Sequence, residues 1–208
     1  MKFFLILPFI TVAVADSLAE DKPNWADEKR FGDYQNAWKR LGQEETTLYY
    51  LTNTTYKHHT LSWGTNFRSL VVKETSKNES QKMLTSRFVF KNASSTNKQD
   101  VFQVEESVKA DFYYNYTKNE NEIEYLVENN EKYIDTLIYS DKDCDIFYVP
   151  YANEKKGGLE LWVNGDHINK VTQHCSFFIE YFRKKEDTVY TKYNAEECGE
   201  VVTKITSS

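Results

Sequence analysis

Clusters of basic residues are missing from this sequence. The basic runs are limited to RKK at residues 183–185 and EKK at residues 154–156, and the chain carries a formal net charge of −6. Proteins that bind nucleic acid need clustered Lys and Arg to displace counterions from the phosphate backbone. We therefore expect no nucleic-acid partner.

Apolar runs long enough to cross a membrane are missing as well. The opening segment MKFFLILPFITVAVA instead combines a positive start, a short apolar run and a small-residue cleavage site. We expect residues 1–15 to be a secretory signal peptide, with cleavage as late as residue 19 as the alternative. The prediction is a secreted, extracellular protein without membrane attachment, with a single domain over residues 21–200 and a flexible tail at 201–208.

Signatures of catalysis are also absent. The motifs HExxH and GxSxG do not occur, and no two cysteines have metal-binding spacing. His58 and His59 are adjacent, so on a strand they would point to opposite faces. Paired acids could serve glycoside hydrolysis, but nothing in their spacing favours hydrolysis over binding. We expect no enzymatic activity, no metal and no cofactor.

Cysteine is scarce, with only Cys144, Cys175 and Cys198 in the chain. Secreted proteins commonly form disulfides, but an odd number leaves one thiol over, and the sequence permits any of the three pairings. In a secreted chain, Asn-x-Ser/Thr sequons indicate surface positions that carry sugar. Four are present, at Asn53, Asn78, Asn92 and Asn115.

The middle of the chain alternates apolar and polar residues with the period of two that is typical of β-strands. The alternation predicts strands at 46–56, 67–75, 83–92, 100–108, 109–117, 122–128, 132–140, 144–150 and 159–164. The fourth and fifth run together, so they form either a hairpin or one bent strand. A further short strand is predicted in TVYTKY near the end of the chain.

Helical spacing flanks the strands on both sides. Before them, with Asn24 as N-cap, one apolar face comprises Phe31, Tyr34, Trp38 and Leu41. After them, a stripe comprises Ile168, Val171, Cys175, Phe178 and Phe182. The predicted fold is mainly β: an eight-stranded antiparallel lipocalin barrel with an N-terminal helix and a C-terminal helix packed on it. Such a barrel can hold one small ligand.

Four acidic residues interrupt strand faces that are otherwise apolar or aromatic: Glu106, Asp135, Asp145 and Glu160. A lone buried carboxylate costs several kcal/mol, so it must be protonated, paired with a cation or placed to receive one. Lys and Arg are scarce on these faces. A wet barrel mouth would explain any single acid, whereas four acids beside Tyr and Trp indicate a site for a small ammonium ligand.

Several motifs resemble the histamine-binding lipocalins of tick saliva. They are NWADE, AWKRL, TTYK, WGTNF, YSDKDCDIFYVP and GGLELW, and they extend over about residues 23–198. The resemblance implies a barrel without enzymatic activity that sequesters amines such as histamine or serotonin. It also implies a disulfide between Cys144 and Cys175. The second bridge of the family would join Cys198 to the position of Ser69, so Cys198 is either a free thiol in a monomer or a link between two chains.

The resemblance implies two amine pockets as well. One is lined by Tyr56, Glu106, Tyr125, Tyr133, Asp135 and Trp162. The other is lined by Trp63, Asp145 and Glu160, with Glu44 beside them. The chain departs from the family after TTYK, where amine binders place an aspartate and this sequence has His58-His59. A histidine there does not attract an ammonium group, so the pocket with Asp145 is the better preserved.

We therefore expect a salivary scavenger that binds a small cationic amine and so suppresses host inflammation. Two alternatives remain open at this point. The barrel could capture a lipophilic mediator such as a leukotriene or a sterol, although inward acids disfavour a fatty-acid carboxylate. Alternatively, the outer surface could bind a host protein and modulate immunity.

Overall fold

The computed structural model describes residues 22–41, 46–59, 63–95, 97, 100–126 and 132–207. The predicted signal peptide and Glu44 lie outside these residues. The strands are β1 (Leu48–Thr54), β2 (His58–His59), β3 (Gly64–Thr65), β4 (Phe67–Asn78), β5 (Met83–Asn92), β6 (Phe102–Asp111), β7 (Glu122–Leu126), β8 (Lys132–Ser140), β9 (Cys144–Val149), β10 (Gly158–Asn164) and β11 (Tyr190–Thr191). The helices are α1 (Glu28–Phe31), α2 (Ala37–Leu41), α3 (Ala152–Lys155), α4 (Gln173–Phe182) and α5 (Ala195–Thr206), with 3₁₀ turns at Gly32–Tyr34 and Gly165–Lys170.

Eight strands close into one antiparallel barrel, which confirms the predicted fold. Their order is β10-β9-β8-β7-β6-β5-β4-β1, and β1 pairs back onto β10 with Tyr50 opposite Val163. Closure matters because it leaves none of these eight strands with an open edge. The predicted strands at 100–108 and 109–117 are a single strand, β6, which ends at Asp111. The short strand predicted in TVYTKY is β11, which pairs with β1.

Helix α4 covers one outer face of the barrel. Strand β10 is therefore buried on both faces, with Leu159, Leu161 and Val163 packed outward against Cys175 and Ile179 of the helix. The disulfide between Cys144 of β9 and Cys175 ties the helix to the sheet and confirms the pairing that the family resemblance implied. Glu160 and Trp162 alternate with these outward residues, so they face the barrel interior.

The N-terminal segment is not the single helix that its spacing predicted. Asp27 rather than Asn24 caps α1, where its side chain accepts hydrogen bonds from the Lys29 and Arg30 amides. A 3₁₀ turn then separates α1 from α2, and Tyr34 is 50% exposed instead of packing on the predicted apolar face. The residues that α2 buries are Ala37, Arg40 and Leu41. Arg40 lies three residues after Ala37 and so shares its buried face, which directs this charged side chain toward the barrel interior.

The segment expected to be a flexible tail is ordered up to residue 206. It forms the second half of α5, in which Val201 and Ile205 are fully buried against β4 and β5. Cys198 lies one turn earlier on the same face as a free thiol that is 3% exposed. The thiol is thus covered by its own chain. Among the described residues, no helix has the length and apolar character needed to cross a membrane.

Candidate ligand-binding site

A small cavity lies inside the barrel. It is lined by Arg40, Leu41, Val72, Glu74, Ser86, Phe88, Val108, Ile123, Tyr125, Asp135, Phe147, Glu160 and Trp162. Its volume is about 30 Å³ for the centres of water-sized spheres, which is room for about two water molecules. Aromatic side chains fill much of the remaining interior, so a small ligand needs far less rearrangement than a large one.

Three buried carboxylates face this cavity, and two of them, Asp135 from β8 and Glu160 from β10, are only 3% and 2% exposed. The Tyr56 hydroxyl and Trp162 Nε1 both donate hydrogen bonds to Glu160, the latter at 2.7 Å. Tyr125 donates to Oδ2 of Asp135 at 2.9 Å. The Tyr151 hydroxyl interacts with the same carboxyl group.

The geometry of Tyr56 depends on the glycine pair of GGLELW. Gly157 has φ +76°, a conformation that residues with a Cβ rarely adopt. A Cβ added at Gly158 would lie 2.5 Å from Cδ1 of Tyr56, so only glycine leaves room for the tyrosine ring. The ring is thus held where its hydroxyl reaches Glu160.

The acids of the cavity ionise with difficulty. Burial raises the pKa of Asp135 well above its usual value, the charge of Glu160 raises it further, and hydrogen bonds from Tyr151 and Tyr125 oppose the rise. Burial also raises the pKa of Glu160. Glu106 does not line the cavity, but burial together with the charge of Glu160 raises its pKa to about 7. A cation placed among these groups would favour their ionised forms, which is the electrostatic requirement of an ammonium site.

Tyrosine hydroxyls support the carboxylates as donors. Burial and the neighbouring carboxylates raise the pKa of Tyr56 and of Tyr125 well above the usual value, so both keep their protons at neutral pH. Tyr125 and Trp162 also present ring surface to the cavity. Aromatic faces attract cations by about 0.5–2 kcal/mol. The arrangement can therefore hold a protonated amine by ion pairing and by ring contacts together.

The fourth predicted acid, Asp145, has a partner of its own. It forms an ion pair with Arg40 of α2, and the two side chains are 0% and 5% exposed. The guanidinium carbon of Arg40 lies 3.4 Å from the ring centroid of Tyr49. Glu74 also faces the cavity, where Ser86 Oγ donates to it at 2.7 Å. Burial raises the pKa of Glu74 to about 7, although the charge of Arg40 opposes this rise.

A family model described as tick histamine binding protein matches residues 25–200 of the chain. The chain belongs to the tick histamine-binding protein family. A male-specific histamine-binding salivary protein of Rhipicephalus appendiculatus is 33% identical over 185 residues, which cover 86% of this chain and 89% of the relative. Female-specific histamine-binding protein 1 of the same species is 35% identical over 181 residues, which cover 87% and 91%. The family recognised from the sequence motifs is thus confirmed.

Solved structures of lower identity share the fold of this histamine-binding family member. AM182 in complex with serotonin superposes with a TM-score of 0.52 at 19% identity, covering 79% of this chain and 93% of that chain. Japanin from Rhipicephalus appendiculatus, bound to cholesterol, superposes with a TM-score of 0.54 at 12% identity, covering 74% and 96%. At these identities the likeness supports the barrel architecture alone.

The structure groups the predicted site residues differently from the two pockets that the family resemblance implied. Glu160 lies with Asp135, near Tyr125 and Trp162, in a cavity that Asp145 does not line. Trp63 does not line the cavity but stacks on His59, with ring centroids 4.0 Å apart. Burial lowers the pKa of His59 to about 3, so this imidazole is neutral. Tyr133 also lies outside the cavity and packs edge-to-face on Tyr151 at 4.9 Å.

Sequence reasoning missed two charged residues of the cavity, Arg40 and Glu74. Glu74 shares a face of β4 with Val72, so the alternation test that found the other acids would also have found it. Arg40 lies three residues after Ala37 and immediately before Leu41, and both of these neighbours are buried. Helical spacing on the AWKRL motif could therefore have placed Arg40 on the inner face.

Proposed function

We propose that the protein is a secreted scavenger of a small cationic amine, histamine or serotonin, which it binds at Asp135 and Glu160 without chemical conversion. The observation that carries this proposal is a pair of carboxylates that are 3% and 2% exposed in one cavity. No described Lys, Arg or His lies within ion-pair distance of either carboxylate, although the charge of Lys192 acts on Glu160 from farther away. A ligand ammonium supplies the missing positive charge, and it explains why such costly groups are kept inside the barrel.

Each wall of the cavity has a distinct role in this proposal. The ammonium lies between Asp135 and Glu160, with its protons toward the two carboxylates. The aromatic ring of the amine packs on Tyr125 and Trp162, which line the same cavity. Tyr56 holds Glu160 in place through its hydroxyl. Histamine-binding relatives and a serotonin complex with the same fold support amines as the ligand class.

A sterol is the second candidate, and one finding favours it: japanin shares this fold and binds cholesterol. Two features of the cavity oppose it. The space is about 30 Å³ for the centres of water-sized spheres, far below the several hundred Å³ of typical ligand pockets. Insertion of an apolar ring system beside Asp135 and Glu160 would also leave both carboxylates desolvated without a cation.

The setting of the proposed activity is extracellular. The signal peptide at residues 1–15 directs secretion, and removal of free amine at the feeding site suppresses host inflammation. Sugar on the sequons fits this setting best at Asn78 and Asn115, which are exposed, whereas Asn53 and Asn92 are half-buried. We propose that the protein acts as a monomer, because its one free thiol is covered.

Isothermal titration of the purified protein with histamine, serotonin, a leukotriene and cholesterol tests the proposal. Truncating one partner of a buried charge pair costs about 2–5 kcal/mol, so Asp135→Asn or Glu160→Gln should weaken amine binding by at least roughly thirtyfold. Glu105→Gln is the matched control, because Glu105 is exposed and lies on the outer face of β6. Binding of cholesterol or the leukotriene, with no binding of either amine, would overturn the proposal.

A further inference from the structure

The contacts of Arg40 are those expected of a bound organic cation. Its guanidinium pairs with Asp145, lies 3.4 Å above the centre of the Tyr49 ring and is close enough to Glu74 to affect its ionisation. Arg40 is 5% exposed and Asp145 is fully buried. Ion pairing plus an aromatic face is the same chemistry that recognises free ammonium and guanidinium ligands.

The cation is supplied by a separate element of the chain. Asp145, Glu74 and Tyr49 belong to the barrel strands β9, β4 and β1, whereas Arg40 enters from α2. Asp145 is 105 residues away from Arg40 in the sequence. Arg40 and Glu74 line the same cavity as Asp135 and Glu160, so the surroundings of Arg40 border the proposed amine site. The barrel therefore provides an acidic and aromatic receptor that one helical side chain occupies.

We infer that Arg40 occupies, as a tethered ligand, the second amine pocket that the family resemblance implied around Asp145, with Tyr49 and Glu74 as further walls. Shortening Arg40 opens this cation site to a free guanidinium or ammonium ion. Tethering gives Arg40 a high effective concentration at this site. A free amine at lower concentration does not displace it, and the fixed positive charge repels a second cation from that part of the cavity. The natural chain consequently binds a single amine.

The prediction that the natural chain binds one amine rests on the proposed function. The cation site itself is inferred from the contacts of Arg40 and does not rest on that function. Shortening the side chain to alanine removes the guanidinium and its methylene stem and leaves a space beside Asp145. Methylguanidinium has the shape and charge of the deleted group. Methylurea has nearly the same shape without the charge, so it separates recognition of a cation from simple filling of a void.

The first test is rescue of Arg40→Ala by methylguanidinium, followed by thermal unfolding. We expect the variant to have a lower Tm than the natural chain, and millimolar methylguanidinium to recover a large part of the loss while methylurea recovers none. Arg87→Ala is the matched control, because Arg87 pairs with the exposed Glu105 on the outer face. The double variant Arg40→Ala/Asp145→Asn should fold without the unpaired charge and show no rescue.

If Arg40→Ala does not fold alone, its refolding yield in methylguanidinium and in methylurea becomes the measurement. A refolding yield that recovers in methylguanidinium but not in methylurea supports the inference. A yield that recovers in neither compound overturns it. The second test is the stoichiometry of histamine, which should rise from one in the natural chain to two in Arg40→Ala. Rescue in a protein that binds no amine would leave the cation site standing and remove the proposed function. If the natural chain and Arg40→Ala each bind one amine and methylguanidinium gives no rescue, the proposed function stands and the cation site is removed.

Discussion

Binding of a cationic amine should release protons from the barrel interior. In the ligand-free protein the pKa of Asp135 lies well above its usual value, because burial and the charge of Glu160 disfavour its ionised form. Burial therefore favours its protonated form. An ammonium beside both carboxylates reverses this preference, since each ionised group then faces an opposite charge. We predict that amine binding releases up to about one proton per amine over the pH range in which the ligand-free Asp135 is protonated.

The size of the effect follows from linkage between protonation and binding. While one proton is released, the association constant rises by about tenfold for each pH unit. The affinity should therefore rise with pH as long as the ligand-free Asp135 holds its proton, and level off above that range. The pKa of Glu106 is raised to about 7. An amine that favours the ionised form of Glu106 therefore releases additional protons near neutral pH.

Calorimetry in buffers of different ionisation enthalpy measures the released protons directly. The observed enthalpy plotted against the buffer enthalpy has a slope equal to the number of protons exchanged. Asp135→Asn lacks the group that loses its proton, so this variant should bring the slope close to zero, whereas Glu105→Gln should leave it unchanged. A slope of zero in the natural chain, together with an affinity that does not change with pH, would refute the reasoning.

Three further predictions concern stability. Burial raises the pKa of Glu74 from 4.5 to about 7, so the unfolded chain ionises this group at a lower pH than the folded chain does. As the pH rises through this range, the free energy of unfolding of the ligand-free protein should fall by about 3 kcal/mol. Urea titrations should show no such fall in Glu74→Gln. Replacing Cys144 and Cys175 by serine opens a loop of 31 residues and should lower the free energy of unfolding by about 4 kcal/mol; no change would contradict the role of the bridge. Ending the chain at residue 200 removes the buried Val201 and Ile205 and should cost at least about 3 kcal/mol; equal stability would restore the view of a flexible tail.

The barrel could be predicted because alternation is a local signal. Residues on β8 alternate between interior and exterior as far as Ile138, where a bulge places Tyr139 on the outer side as well. The predicted span of 132–140 is the observed one. Helix α5 was missed because its buried stripe consists of only Cys198, Val201 and Ile205 within an otherwise polar segment. The N-terminal helix was predicted as too long because Tyr34 continues the spacing although the chain turns at Gly32–Tyr34.

The inward direction of the acids could also be predicted from alternation, which is a local signal. The partners of these acids could not be predicted in this way. Alternation identifies Asp135, Asp145 and Glu160 as inward residues without reference to any other part of the chain. The contact between Asp145 and Arg40 joins positions 105 residues apart, and only the packed fold brings them together. One acid therefore has a cation of its own, whereas Asp135 and Glu160 form no ion pair with a described residue.

The most direct test of the central claim is a crystal structure of the protein saturated with histamine or serotonin. We predict one amine in the barrel cavity, with its ammonium nitrogen about 2.7–2.9 Å from carboxylate oxygens of Asp135 and Glu160. Arg40 should remain paired with Asp145 in the same crystal. An amine bound at Asp145 in place of Arg40, or bound only outside the barrel, would contradict the account.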